Sequence, residues 1–139
     1  MTRPISFRPT AGGGHARGAV TVEFAIVSSI AFLFVFASLE FGRMNVIRHT
    51  VVNAAYEGAR RAIIPNATPA DAVAHAQAIM DIVRTQGTSV TVDPPVFSPA
   101  TTRVSVTVSV PANSNGWIAP LFSWGQLMTG TCTLEREVF

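Results

Sequence analysis

Three patterns of apolar and polar positions follow one another along the chain. In the first, residues 18–41 read GAVTVEFAIVSSIAFLFVFASLEF, with no charge between Phe24 and Leu39 and only Glu23 interrupting the N-terminal side. A helix of about 20 apolar residues, rising 1.5 Å each, crosses the roughly 30 Å hydrocarbon core of a bilayer. Residues 19–39 meet that length. A carboxylate deep in such a helix costs about 2.5–3.5 kcal/mol, so Glu23 is expected either to have a partner or to reach the interface.

The second pattern continues the helical period into polar sequence. Met44, Ile47, Val51, Ala54, Gly58 and Ala62 recur at steps of three or four, while Arg43, Asn45, Arg48, Asn53, Glu57, Arg60 and Arg61 occupy the other face. This is an amphipathic continuation of the same helix, with Glu57 and Arg61 at i, i+4 spacing, and Pro65 forbids its extension. One helix is therefore expected over 19–64, nearly 70 Å long at 1.5 Å per residue. Its outer half is rich in small residues, with Ala54, Gly58 and Ala62 on the apolar stripe. Such a face permits close packing, either against this chain's own domain or against another helix.

After a turn, Thr68-Pro69-Ala70-Asp71 carries the signature of a helix start: Thr68 as N-cap, Pro69 at the first position and Asp71 in the place of the capping-box acid. Val73, Ala76, Met80 and Val83 form the stripe of this second helix, and Gly87 suits the residue after its end.

The third pattern has a period of two. Residues 89–92 form a short strand, broken by Asp93-Pro94-Pro95. Residues 103–110 alternate four valines with Arg103, Ser105, Thr107 and Ser109, as a half-buried antiparallel strand does. Residues 126–134 alternate again, setting Met128, Cys132 and Leu134 opposite Thr129, Thr131 and Thr133. Between them lie a turn at 111–116 and an apolar loop with Trp117, Ile118, Leu121, Phe122 and Trp124, punctuated by Pro120.

The predicted fold class is α+β: a long N-terminal transmembrane-to-extramembrane helix, then a small domain with one further helix and a three-stranded antiparallel sheet. The expected divisions are a leader at 1–18, a transmembrane helix at 19–40, its extension at 41–64 and the small domain at 65–139. A domain of that size is short of core, and docking onto the extended helix would supply it.

Charge changes one part of this picture. All ten basic residues are arginines and the pI is near 9.5, which invites a nucleic-acid reading. Arg3, Arg8 and Arg17, however, precede the apolar run with no acid among them, and the rest of the chain is net −1. The basic character belongs to the leader, where it suits a cytoplasmic flank or anionic lipid, so no nucleic-acid partner is expected. Arg43 and Arg48 follow the span as closely as the leader arginines precede it, so charge alone leaves orientation open.

Candidate chemistry is sparse. Cys132 is the lone cysteine, and His15, His49 and His75 are scattered without carboxylates or thiols at ligand spacing. The Gly12-Gly13-Gly14 run lacks the flanks of a phosphate loop. Asp71 with Asp81, and Glu135 with Glu137, read as solvated acids rather than catalytic pairs. The expectation is a protein that is not an enzyme and carries no cofactor or metal. Trp117 and Trp124 can cover a sheet edge, anchor at the lipid interface or hold a ligand.

The segment Arg17-Gly18-Ala19-Val20-Thr21-Val22-Glu23-Phe24, running directly into an apolar helix, resembles the processing site of type IV pilin-like proteins. More closely, the chain resembles the TadE-like pseudopilins of tight-adherence (Tad/Flp) pilus systems. The likeness includes the Glu40-Phe41-Gly42-Arg43 exit and Asn53-Ala54-Ala55-Tyr56-Glu57-Gly58-Ala59-Arg60. It covers residues 18–64 well and the remainder loosely.

The resemblance implies a single-pass bacterial inner-membrane protein, N-terminus cytoplasmic and C-terminal domain periplasmic, able to enter an extracellular pilus. It implies cleavage between Gly18 and Ala19 by a prepilin peptidase, with Glu23 and Phe24 serving processing and assembly. The implied partners are that peptidase, other pilins or pseudopilins with the Tad assembly machinery, and the lipid bilayer. Glu23 would then pair with the new ammonium at Ala19 of its own chain or of an adjacent subunit. Ala19 stands where many type IV pilins have Phe. Two other readings stay open. An uncleaved membrane-anchored binding protein would use Trp117 and Trp124 for a ligand. A secreted soluble protein would be cut near Ser38.

Overall fold

The computed structural model describes residues 13–117 and 125–136, with side chains from Gly18 onward. The expected positions of Ile118, Pro120, Leu121, Phe122, Trp124 and Glu137, and of residues 1–12, lie outside the described residues. The element order is α1 (Gly13–Ala62), α2 (Pro69–Ile82), β1 (Ser89–Asp93), β2 (Arg103–Pro111), a single 3-10 turn (Ala112–Ser114) and β3 (Leu127–Glu135). The fold class is α+β, with the long apolar helix, the second helix and the three-stranded antiparallel sheet that the periods predict. α1 starts at Gly13, inside the stretch read as leader, because a helix once nucleated adds residues such as His15, Ala16 and Arg17 at little cost.

Two units are described separately, Met1–Ser38 and Leu39–Phe139. In the first, the α1 side chains from Val20 to Phe36 include no buried large apolar residue: Phe24, Ile26, Val27, Phe32, Leu33 and Phe34 are all exposed. The helix is long and apolar enough to cross a membrane, and none of its apolar window is buried inside the fold. Its serines fit such a medium. Ser29 Oγ donates to the Ala25 carbonyl at 2.8 Å and Ser38 Oγ to the Phe34 carbonyl at 2.8 Å, so neither hydroxyl is left unbonded where water is absent.

The second unit is built around β2, the central strand of the order β1-β2-β3. Val104, Val106, Val108 and Val110 are fully buried on one face, as the strict alternation requires. They share a core with Ile47, Val51, Ala54, Ala55, Ala59 and Ala62 of α1 and with Ala72, Ala76 and Met80 of α2. The outer part of α1 thus forms a wall of the core, and the small residues on it set the closeness of approach. A methyl placed on Gly58 would meet Ala76 Cβ at 3.1 Å and Val106 Cγ1 at 3.2 Å. On the opposite sheet face the polar positions bond across strands in register: Thr107 with Thr131 at 2.9 Å, and Thr133 to Ser105 at 3.0 Å.

Local chemistry explains where α2 begins and ends. Thr68 and Asp71 form the reciprocal capping box, Thr68 N–H donating to Asp71 Oδ2 at 2.9 Å and Asp71 N–H to Thr68 Oγ1 at 3.2 Å. The Thr68 N–H and the Thr68 hydroxyl, which donates to Asp71 Oδ2 at 2.8 Å, hold the Asp71 carboxyl below its usual value, with Arg61 adding a smaller push in the same direction. Thr68→Ala should destabilise the unit by about 1 kcal/mol, read from the thermal midpoint of the full chain in detergent. Because the folded pKa of Asp71 is depressed, its contribution is present above the unfolded value and lost as pH falls through the folded one. The difference between the two chains should therefore shrink below about pH 4; a difference constant down to pH 2 would remove the ionised cap from the account.

Two local expectations differ from the structure. α2 ends at Ile82, and Arg84 rather than Gly87 takes the left-handed position beyond it, with φ 52°. Thr85 Oγ1 donates to the Met80 carbonyl at 3.1 Å, closing the helix end early, while Gly87 (φ 71°) serves the turn into β1 under Pro111. Glu57 meets Arg60 at 3.9 Å rather than Arg61, which lies close enough to α2 to act on Asp71. That exposed pair adds little stability.

Candidate functional site

The residues expected to carry processing and assembly stand together at the start of the described side chains. Gly18 and Ala19 are exposed, and a methyl built on Gly18 would meet nothing within 4 Å. Glu23 is exposed one helical turn beyond Ala19, and Phe24 is 71% exposed beside it. Among the described residues no hydrogen bond or ion pair involves Glu23, so the protein fold itself leaves the carboxylate available. Helical geometry sets Ala19 and Glu23 on one face, at the spacing over which an ammonium and a carboxylate attract.

Ala54, Gly58 and Ala62 are placed differently. Each is buried within the Leu39–Phe139 unit, where Gly58 faces Ala76 and Val106. Of the two uses open to this small-residue face, the fold takes the intramolecular one. The outward face of the same stretch carries Phe41, Val46, Val52 and Tyr56, all exposed.

A second cluster, which brings Trp117 together with Glu40 and Arg43, lies at the first turn of this unit. Glu40 is 7% exposed, and its Oε2 accepts the Trp117 backbone N–H at 3.0 Å. Its Oε1 is buried with no hydrogen-bond partner, packed so closely over Gly116 that a Cβ there would overlap it. Arg43, one turn on, donates to the Val83 carbonyl at 2.6 Å and lays its guanidinium over the Trp117 ring, 5.7 Å from the centroid. Its Nε is buried without a partner.

The loop that receives these side chains is fixed by Asn115. This residue is 5% exposed, donates from Nδ2 to the carbonyls of Gln86 (2.9 Å) and Pro111 (2.8 Å), and accepts the Gln86 N–H at 2.7 Å. A signal for Glu40 was present: positions 40, 44, 47, 51, 54, 58 and 62 form one continuous stripe, and the structure buries or half-buries all seven. Asn115 left no such signal, since Gln86, which makes two of its three bonds, lies 29 residues away.

A roomier cleft of about 880 Å³ opens between Ile63, Pro65, Phe97, Pro99 and Arg136, with Arg136 lying over the Phe97 ring at 5.3 Å. Its titratable groups, Glu135 and Arg136, are not held in a cluster that would perform chemistry. His49 and His75 are on exposed helix faces, and Trp117 is 68% exposed.

Residues 18–60 match the family model of TadE-like proteins. The match begins at Gly18, covers the apolar run and ends within the buried stripe of α1. No curated protein and no solved structure matches the chain. Over residues 18–60, less than half of its length, the chain is similar to TadE-like proteins.

Proposed function

We propose that this chain, TadE-like over residues 18–60, acts as a pseudopilin in assembly of a Tad pilus. It is anchored by α1 as a single-pass protein, N-terminus cytoplasmic, and a prepilin peptidase trims it between Gly18 and Ala19. It then packs with other pilins or pseudopilins through the apolar part of that helix, with Glu23 neutralised by an Ala19 ammonium. The observation that carries this reading is the coincidence at one place of three features. The family match starts at Gly18, Gly18 and Ala19 are exposed, and an apolar helix that no described element covers follows at once. A peptidase gains access to such a bond, and only another apolar surface or lipid satisfies such a helix.

The chemistry supports the order of events. Cleavage removes the leader arginines and leaves a single positive charge four residues from Glu23, where pairing lowers the cost of holding the carboxylate at the membrane edge. Intact mass of the chain co-expressed in membranes with a prepilin peptidase should correspond to a start at Ala19, and Gly18→Val should abolish the trimming. A Met1 chain in both cases would reject the proposal. The Leu39–Phe139 unit then lies outside the cytoplasm, and its role is to present a folded surface to the other pilus components.

A further inference from the structure

We infer that the opening between Arg43, Arg84 and Trp117 takes the phosphate of an anionic lipid headgroup. The inference rests on the reading that α1 spans a bilayer and does not depend on cleavage after Gly18. The opening measures about 370 Å³, and its lining also includes Gln86 and Ser114. Every charged group in that lining is cationic, and Gln86 and Ser114 add hydrogen-bond donors. The Glu40 carboxylate packs against Gly116 of the lining, its Oε2 accepting the Trp117 N–H and its Oε1 buried without a partner. Arg43 Nε is buried without a partner and out of a ligand's reach, so the seat uses the rest of the Arg43 side chain, which lines the opening. Arg84 is exposed in the left-handed conformation at the end of α2 and makes no ion pair among the described residues.

Position selects a lipid over a soluble anion. Arg43 is four residues past Leu39 on α1, about 6 Å along the axis. The headgroup layer on each side of a bilayer is about 5–8 Å deep, so an arginine there lies among phosphates. Trp117 points to the same layer. Its indole is 68% exposed although Arg43 covers one face, and amphipathic rings of this kind concentrate at the membrane–water boundary. The seat is built rather than incidental: Glu40 holds the Trp117 backbone and the three bonds of Asn115 hold the turn before it. An ordinary solvated patch of arginine and tryptophan would need neither.

The full chain in detergent, titrated with phosphatidylglycerol or phosphatidylcholine of identical acyl chains and examined by native mass spectrometry, tests this. Two arginines each contributing roughly a factor of five predict about a 30-fold preference for phosphatidylglycerol. Arg43→Gln combined with Arg84→Asn should bring the preference near unity, whereas Arg60→Gln combined with Arg61→Gln at the far end of α1 should leave it intact. Arg84→Asn alone, at a position whose backbone asparagine tolerates, should lower it several-fold without moving the thermal midpoint. Equal retention of the two lipids by the wild type, or an undiminished preference in the double variant, would overturn the inference. Displacement of the lipid by millimolar inorganic phosphate would also overturn it, by assigning the seat to a soluble anion. Extraction of the protein from membranes by alkaline carbonate would instead reject the spanning reading itself.

Discussion

Gly130→Val is expected to lower the stability of the Leu39–Phe139 unit by about 3 kcal/mol or more, the upper end of overpacking costs. Gly130 lies on β3 opposite Val108, facing inward, where a Cβ would stand 3.0 Å from the Val51 carbonyl oxygen and 3.0 Å from Val52 Cα. Both neighbours are backbone in the body of α1, which cannot retreat without opening its own hydrogen bonds. The contrast with Gly58 is instructive. There the nearest atoms are side chains, and alanine would regain up to about 1 kcal/mol of helix propensity. Gly58→Ala should therefore be much milder than Gly130→Ala, and Gly130→Val the worst of the three. Thermal unfolding of the full chains in one detergent gives the order. For a unit of this size, 3 kcal/mol corresponds to a midpoint lowered by more than about 10 °C. A Gly130→Val midpoint within 2 or 3 °C of wild type would mean that β3 does not press on α1.

The second large effect is functional. Glu23→Ala should leave trimming after Gly18 nearly complete yet abolish recovery of the chain in sheared pili. Gly18 and Ala19 are exposed whatever side chain stands at residue 23, so the change leaves their accessibility as it was. On the proposed function, what is lost is the counter-charge for an Ala19 ammonium, which would leave an uncompensated cation at an apolar helix end. Glu23→Gln separates charge from hydrogen bonding. If pairing is electrostatic, glutamine fails almost as badly as alanine. Wild-type levels of the alanine variant in pili would remove Glu23 from assembly, and loss of trimming would move its role to recognition by the peptidase.

The parts of this fold legible in the sequence are those governed by local repetition. The valines of β2 and the α1 stripe declare which side is buried because every second, or every third and fourth, position agrees. The capping box at Thr68 and Asp71 declares a helix start within four residues. The end of α2 was misplaced at Gly87 because glycine is the usual left-handed residue. Here Arg84 adopts that conformation and Thr85 closes the helix end.

Glu40 continues the α1 stripe by one turn toward the apolar run. Its burial depends on Trp117, 77 residues away, a distance no period reports. Gly130 offered a weaker hint, since glycine inside a strand often marks close backbone approach. Which backbone it approaches is a tertiary fact. The proposed processing segment was legible only as a motif. Among the described residues Gly18, Ala19 and Glu23 pack against no other element, so packing says nothing about them beyond their accessibility.

The contact between Gly130 and α1 has a bearing on how the protein is made. The two sides of that seam are nearly eighty residues apart, and β3 leaves the ribosome long after α1. Until it arrives, one edge of β2 and part of the α1 stripe stay uncovered, and closing so long a loop is slow compared with forming either helix. The emerging chain therefore passes through an interval in which α1 is complete but the part of its apolar wall that β3 will cover lies open. During that interval the wall is open to a chaperone or to the wrong helix, and the arrival of Gly130 ends it.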